Sequence, residues 1–119
     1  MALTLIQSLR RLSQGSSGWR NTFVTQDSQV ELLQKLYAAN GLELKMTCPA
    51  CPEQYDVFKD GQQVAYFRLR HGEFSVDYPS CNKETIYEAE PNGDGCFDSD
   101  ERLVYLTRAM RVLLTKLAA

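Results

Sequence analysis

Four cysteines carry the clearest potential for chemistry in this chain. Cys48 and Cys51 have the C-x-x-C spacing in which two thiolates reach one metal ion, whereas Cys81 and Cys96 stand alone. We expect Cys81 to share one end of a β-meander with Cys48 and Cys51, and Cys96 to lie at the opposite end. These three cysteines are therefore a candidate zinc site. Unmodified buried thiols are one alternative, and a disulfide or redox pair is another.

The acidic stretch EPNGDGCFDSDE, residues 90–101, is the second candidate metal site. It resembles the twelve-residue calcium loop of an EF-hand, which implies ligands at Asn92, Asp94, Asp98 and Glu101. Pro91 and a preceding strand pattern depart from that motif. We therefore favour an ion-free polar turn, with Asp98 as the N-cap of a helix and Glu101 completing a capping box. Zinc is the cofactor that the sequence supports best, and calcium is the second.

No catalytic residues can be assigned from the sequence. His71 is the only histidine and falls in a predicted turn, so no Ser/His/Asp or Cys/His arrangement can be argued without it. The chain has no P-loop motif and no dinucleotide-binding motif. The sequence favours a non-enzymatic protein, with a metal- or thiol-dependent enzyme as the weakest of three functional alternatives.

Two turn signals position the middle of the chain. Asp60-Gly61 predicts a two-residue hairpin that pairs Val57 with Val64 and Tyr55 with Tyr66, and His71-Gly72 predicts a second hairpin that pairs Leu69 with Phe74 and Phe67 with Val76. One face of this meander is then apolar and should form the core: Phe58, Ala65, Phe67, Leu69, Phe74, Val76 and Tyr78. The other face carries Tyr55, Val57, Val64, Tyr66, Arg68, Arg70, Glu73, Ser75 and Asp77.

That second face is the candidate binding surface. Its aromatic and basic side chains, Tyr55, Tyr66, Arg68 and Arg70, are of the types enriched in binding hot spots. Aromatic rings on a sheet can also stack nucleic-acid bases. The alternative is that an N-terminal helix packs over the two tyrosines and the neighbouring valines, while the guanidinium groups of the arginines extend into solvent.

The flanking segments predict helices. Residues 4–12 have apolar side chains at helical spacing, and a second helix begins near Asp27 or Ser28 and ends at Asn40-Gly41. The C-terminal helix buries leucines at steps of three and four and leaves Arg102 and three other basic residues off the stripe. The fold class is α+β, an antiparallel β-meander of four to five strands packed against N-terminal helices and a long C-terminal helix. We expect residues 1–119 to form a single domain in which 1–26 are a helix plus a flexible connection.

The composition narrows the range of functions. The 119 residues carry a net charge of −2 with a pI near 5.4, which gives no overall attraction to nucleic acid. No apolar run is long enough to span a membrane, and the cysteine usage suits the cytoplasm, although the amphipathic N-terminal segment is also typical of organellar targeting. We therefore expect a small adaptor that binds a protein partner, or itself, through the meander face. The alternative is a metal-stabilised nucleic-acid-binding module.

Overall fold

A computed structural model describes residues 25–50 and 52–119. The elements, in chain order, are α1 (Gln26–Ala39), β1 (Glu43–Cys48), β2 (Glu53–Lys59), β3 (Gln62–Arg70), β4 (Glu73–Tyr78), β5 (Glu84–Ala89) and α2 (Arg102–Ala118). The predicted helix over 4–12 and Cys51 lie outside the described residues. No helix within the described part of the chain is long and apolar enough to cross a membrane.

The five strands form one antiparallel meander in the order β1-β2-β3-β4-β5, so the predicted α+β class is confirmed. Both predicted turns are present, because Asp60 and Gly61, like His71 and Gly72, adopt the positive φ angles that a tight two-residue turn requires. The second hairpin has the predicted register, with Leu69 opposite Phe74 and Phe67 opposite Val76.

The first hairpin departs from the predicted register at a β-bulge. Next to the turn, Phe58 still pairs with Gln63, but Val57 pairs with Ala65 instead of Val64. From there on β2 is shifted by one residue, so that Tyr55 lies opposite Phe67. The bulge turns Tyr55 and Val57 onto the core face, where both are fully buried. Burying these two large side chains favours the bulged register.

Both described helices pack on the same face of the sheet. α1 starts two to three residues earlier than predicted, because the Thr25 side chain, and not Asp27 or Ser28, accepts the capping bond from the Ser28 N–H. The helices run in the same direction: Gln29, near the start of α1, accepts from Arg102 at the start of α2, and Asn40, just after the end of α1, lies against Met110 further along α2. Between helices and sheet lies one core, which includes Leu33 and Tyr37 from α1, Leu106, Met110 and Leu113 from α2, and Phe67 and Phe74 from the sheet.

Candidate functional site

We call the side of the sheet opposite the two helices the outer face. The strand registers place on it Lys45, Gln54, Asp56, Tyr66, Arg68, Arg70, Glu73, Ser75, Asp77, Thr85 and Glu88. No described element packs over these side chains, which are exposed or half-buried except for Asp77. The outer face is therefore the one broad surface of the described fold that carries the predicted binding residues.

Tyr55 does not belong to this surface, and the prediction that it lies there is wrong. The β-bulge turns its ring into the core, where its hydroxyl donates to Glu53 Oε2 at 2.5 Å. Burial raises the pKa of Tyr55 well above its ordinary value of 10.0, and the negative charge of Glu53 adds to that effect. Tyr55 is thus a neutral hydrogen-bond donor inside the protein.

The other three predicted contact residues do share the outer face. They alternate along β3, the central strand, so Tyr66, Arg68 and Arg70 point the same way. The Tyr66 hydroxyl donates to Gln54 Oε1 across the strand pair, which fixes the ring. The Arg68 side chain is half-buried and that of Arg70 is exposed. Neither guanidinium has a salt-bridge partner within 25–50 and 52–119.

A shallow open groove of about 790 Å³ runs along the outer face beside these arginines. Arg68 and Arg70 line one side, Glu88 lies on the other, and the small Ser75 side chain lies between them. The Asp77 carboxylate, also in the groove, accepts hydrogen bonds from the Asn82 N–H at 3.0 Å and from the Thr85 hydroxyl at 2.9 Å. The groove is polar and places a cationic strand next to anionic ones.

The sheet order separates two of the three cysteines proposed to bind zinc. Cys48 ends β1 at one edge of the sheet, while Cys81 lies in the connection between β4 and β5. β1 and β4 are three strand spacings apart, about 14 Å, which is too far for both thiolates to bind one ion. The expectation that Cys81 joins Cys48 is therefore corrected.

Cys96 is the thiol that lies at the sheet end of Cys48. The loop that contains it reaches the start of β2, since the Gly95 carbonyl accepts from the Glu53 N–H at 2.8 Å. The described residues contain no group of three or more His, Cys, Asp or Glu side chains that could hold a metal ion. Zinc binding at Cys48 and Cys51 stays a prediction, because Cys51 lies outside the described residues.

In the acidic loop, the Glu101 side chain is hydrogen-bonded to three backbone N–H groups. Its carboxylate accepts from the N–H groups of Asn92 at 2.9 Å, Gly93 at 2.7 Å and Asp98 at 3.0 Å. The bond from Asp98 is one half of the predicted capping box. The other half, a bond accepted by the Asp98 side chain, is missing. α2 begins at Arg102 with Glu101 as its N-cap, and no side chain caps it. The prediction that the Asp98 side chain caps the helix is therefore wrong. Calcium binding by Asn92, Asp94, Asp98 and Glu101 stays a prediction, and it would require Glu101 to give up these bonds.

A buried polar network near the start of β2 was not predicted. Glu53 and Arg102 form an ion pair at 2.9 Å in which the side chains are 0% and 4% exposed. Arg102 also donates to Gln29 Oε1 at 2.7 Å and to the Phe97 carbonyl at 2.9 Å, and Glu53 accepts from the Phe97 N–H at 3.0 Å. Burial alone lowers the pKa of Arg102, but the hydrogen bonds and the charge of Glu53 outweigh burial and raise it.

This network joins α1, β2, the acidic loop and α2 and leaves its charged atoms satisfied, so its role is structural. The prediction that Arg102 lies off the buried stripe of the last helix is wrong, because its side chain is buried. The signal that could have placed it inside is its spacing of four residues from Leu106, on the buried stripe. Glu53 likewise alternates with Tyr55 and Val57 on the core face.

Comparison with known proteins adds no assignment. No family model matches this chain, and no curated protein or solved structure matches it.

Proposed function

We propose that this chain is a small non-enzymatic interaction protein that binds a protein partner through its outer face. The observation that carries the proposal is the row of Tyr66, Arg68 and Arg70 on the central strand of a face that no described element covers. Tyrosine and arginine are among the side chains enriched in the hot spots that dominate binding energy at protein interfaces. A strand inside a five-stranded sheet holds them rigidly, which lowers the entropy lost on binding.

The surrounding charges support a protein partner over nucleic acid. Glu73, Glu88 and Glu90 lie beside the two arginines, so a phosphate backbone that followed the groove would meet carboxylates. A protein surface can offer charges of both signs in register. The thiols of Cys48, Cys81 and Cys96 are free, which supports placing this interaction in the reducing cytoplasm.

Site-specific photo-crosslinking tests the proposal. A photoreactive amino acid replaces Glu88, which is exposed on the outer face, or Arg111, which is exposed on α2 and serves as the control. We expect the Glu88 position to form a protein adduct in extracts of the source cell, and the Arg111 position not to form it. The double variant Arg68→Ala with Arg70→Ala should lower the yield of the Glu88-position adduct about tenfold or more, because hot-spot arginines dominate binding energy. The melting temperature of this variant should be unchanged.

Three results would contradict the proposal. They are equal adducts from the two positions, an adduct that survives loss of both arginines, and an adduct that nuclease removes. The last of these would support the nucleic-acid alternative in its place.

A further inference from the structure

The outer face carries two strips of opposite charge. The positive strip is Arg68 and Arg70 on β3, and the negative strip is Glu73 on β4 with Glu88 on β5. Arg70 and Glu73 lie opposite each other in the strand register, yet they form no salt bridge within the described chain. Within residues 25–50 and 52–119, both strips thus keep charges that no ion pair uses.

The strand register makes this face complementary to itself. If two copies meet face to face about a two-fold axis that runs along the strands between β3 and β4, β3 of each copy lies over β4 of the other. Residues that pair across β3 and β4 within one chain then face each other between copies. Arg70 faces Glu73 of the second copy, and Arg68 faces Ser75. Packed sheets lie about 10 Å apart, a distance that arginine and glutamate side chains span together.

The groove provides space for the incoming arginine. Ser75, the residue that faces Arg68 of the second copy, has a small side chain between Arg68 and Glu88 of its own chain. An Arg68 side chain that enters from above would fill the groove and lie beside the carboxylate of Glu88. Shape and charge therefore agree in the same arrangement.

The edges of the sheet are less suited to self-association than its face. On β1, the Gln34 side chain donates to the outward carbonyl of Leu44 at 3.2 Å. On β5, Ile86 has no partner in the register, because Val76 of β4 pairs with Tyr87 and Asp77 with Thr85, and this bulge interrupts the regular edge. Bulges and covered carbonyls hinder the addition of another strand.

We infer that the protein partner is a second copy of this chain, docked face to face through Arg68, Arg70, Glu73 and the groove over Ser75. The inference rests on the proposed function and names its partner. Because the contacts are mainly ionic and solvent-exposed, the dimer should be reversible and should weaken as salt is added.

Charge exchange across the two-fold axis tests the inference by sedimentation equilibrium of the full chain. We expect the wild-type chain to dimerise at low salt. Arg70→Glu and Glu73→Arg should each weaken dimerisation about tenfold or more, because each places like charges opposite each other. The double variant, R70E with E73R, should dimerise again, and so should an equimolar mixture of the two single variants. Arg111→Glu on α2 is the matched control and should leave dimerisation unchanged.

Each other outcome overturns the inference. A wild-type chain that stays monomeric at low salt would do so, as would single variants that dimerise normally or a double variant that does not recover. The crosslinking experiment separates this failure from failure of the proposed function. A monomeric chain whose Glu88 position still crosslinks to a different protein contradicts the second copy alone, whereas loss of all outer-face adducts contradicts both proposals.

Discussion

At the scale of single residues, the Glu53–Arg102 ion pair gives the largest expected effect on stability. Arg102→Met should lower the free energy of unfolding by about 3–5 kcal/mol, because it leaves the Glu53 carboxylate buried without its cationic partner. The matched control is Lys116→Met, which removes the solvent-exposed pair with Glu84 and should cost about 1 kcal/mol or less. Denaturant unfolding measures both values. Equal costs would mean that burial adds nothing to the first pair.

Two neighbouring carboxylates of the acidic loop should behave very differently. Glu101→Ala removes the acceptor of three backbone N–H groups and should cost about 2 kcal/mol or more. Asp98→Ala, which removes an exposed side chain with no capping bond, should change stability by about 0.5 kcal/mol or less. Thermal melting of both variants, repeated with millimolar calcium, distinguishes a structural loop from a metal site. A clear rise of the wild-type melting temperature with calcium would instead make Asp94 and Glu101 ligands.

Two buried tyrosines should set the alkaline limit of stability. Burial raises the pKa of Tyr37 and of Tyr55 well above the ordinary value of 10.0. The unfolded chain therefore releases these protons near pH 10 while the folded chain keeps them, so stability is complete below about pH 10 and falls as the pH rises further. Urea unfolding at increasing alkaline pH should show this decline. Tyr37→Phe should make the decline less steep, and an unchanged slope would contradict the assignment.

At the scale of secondary-structure elements, the bulge in β3 explains why one hairpin was predicted correctly and the other was not. The turn residues determine the pairing next to each turn, and both turns were visible in the sequence. Nothing in the local pattern around Val64 indicates that one extra residue is inserted there. The bulged register is favoured by the two helices, because they supply the apolar surface that buries Tyr55 and Val57.

The loop before α2 depends on a close backbone approach at Gly93. A methyl group added there would lie 2.0 Å from the Cys96 carbonyl oxygen, so the loop backbone would have to move. Gly93→Ala should therefore destabilise the fold by about 1–3 kcal/mol and loosen the bonds to Glu101. Ser99→Ala, an exposed change in the same loop, is the control. Melting temperatures measure the effect, and equal values for the two variants would show that the loop relaxes without cost.

At the scale of the whole molecule, the described helices and strands share one continuous core. Because Leu33, Phe67 and Leu106 belong to the same buried cluster, we expect a single cooperative unfolding transition. Far-ultraviolet and near-ultraviolet circular dichroism should give the same midpoint in urea. Separate midpoints would show that the helices and the sheet unfold independently.

The sequence was sufficient to predict the order of the described elements, the meander and the apolar stripes of the helices, because these depend on local periodicity and turn chemistry. It was insufficient for features that depend on distant partners. From the sequence, Arg102 is predicted to lie on the surface, because its ion-pair partner Glu53 is 49 residues away and no local pattern indicates the pair. The prediction that Cys81 shares a sheet end with Cys48 is wrong for a different reason: three strands, an odd number, separate the two connections, so the predicted meander itself places them at opposite ends.

The distance along the chain between Glu53 and Arg102 also constrains how the protein is made. A ribosome that has just completed β2 has produced the carboxylate but not the guanidinium that neutralises it, and those 49 residues include the whole remainder of the sheet. Until α2 has left the exit tunnel, we expect Glu53 to stay hydrated, and of the two described helices α1 alone is present to cover the apolar face of the meander. We therefore expect the nascent chain to stay open to chaperones and proteases until its last helix has emerged.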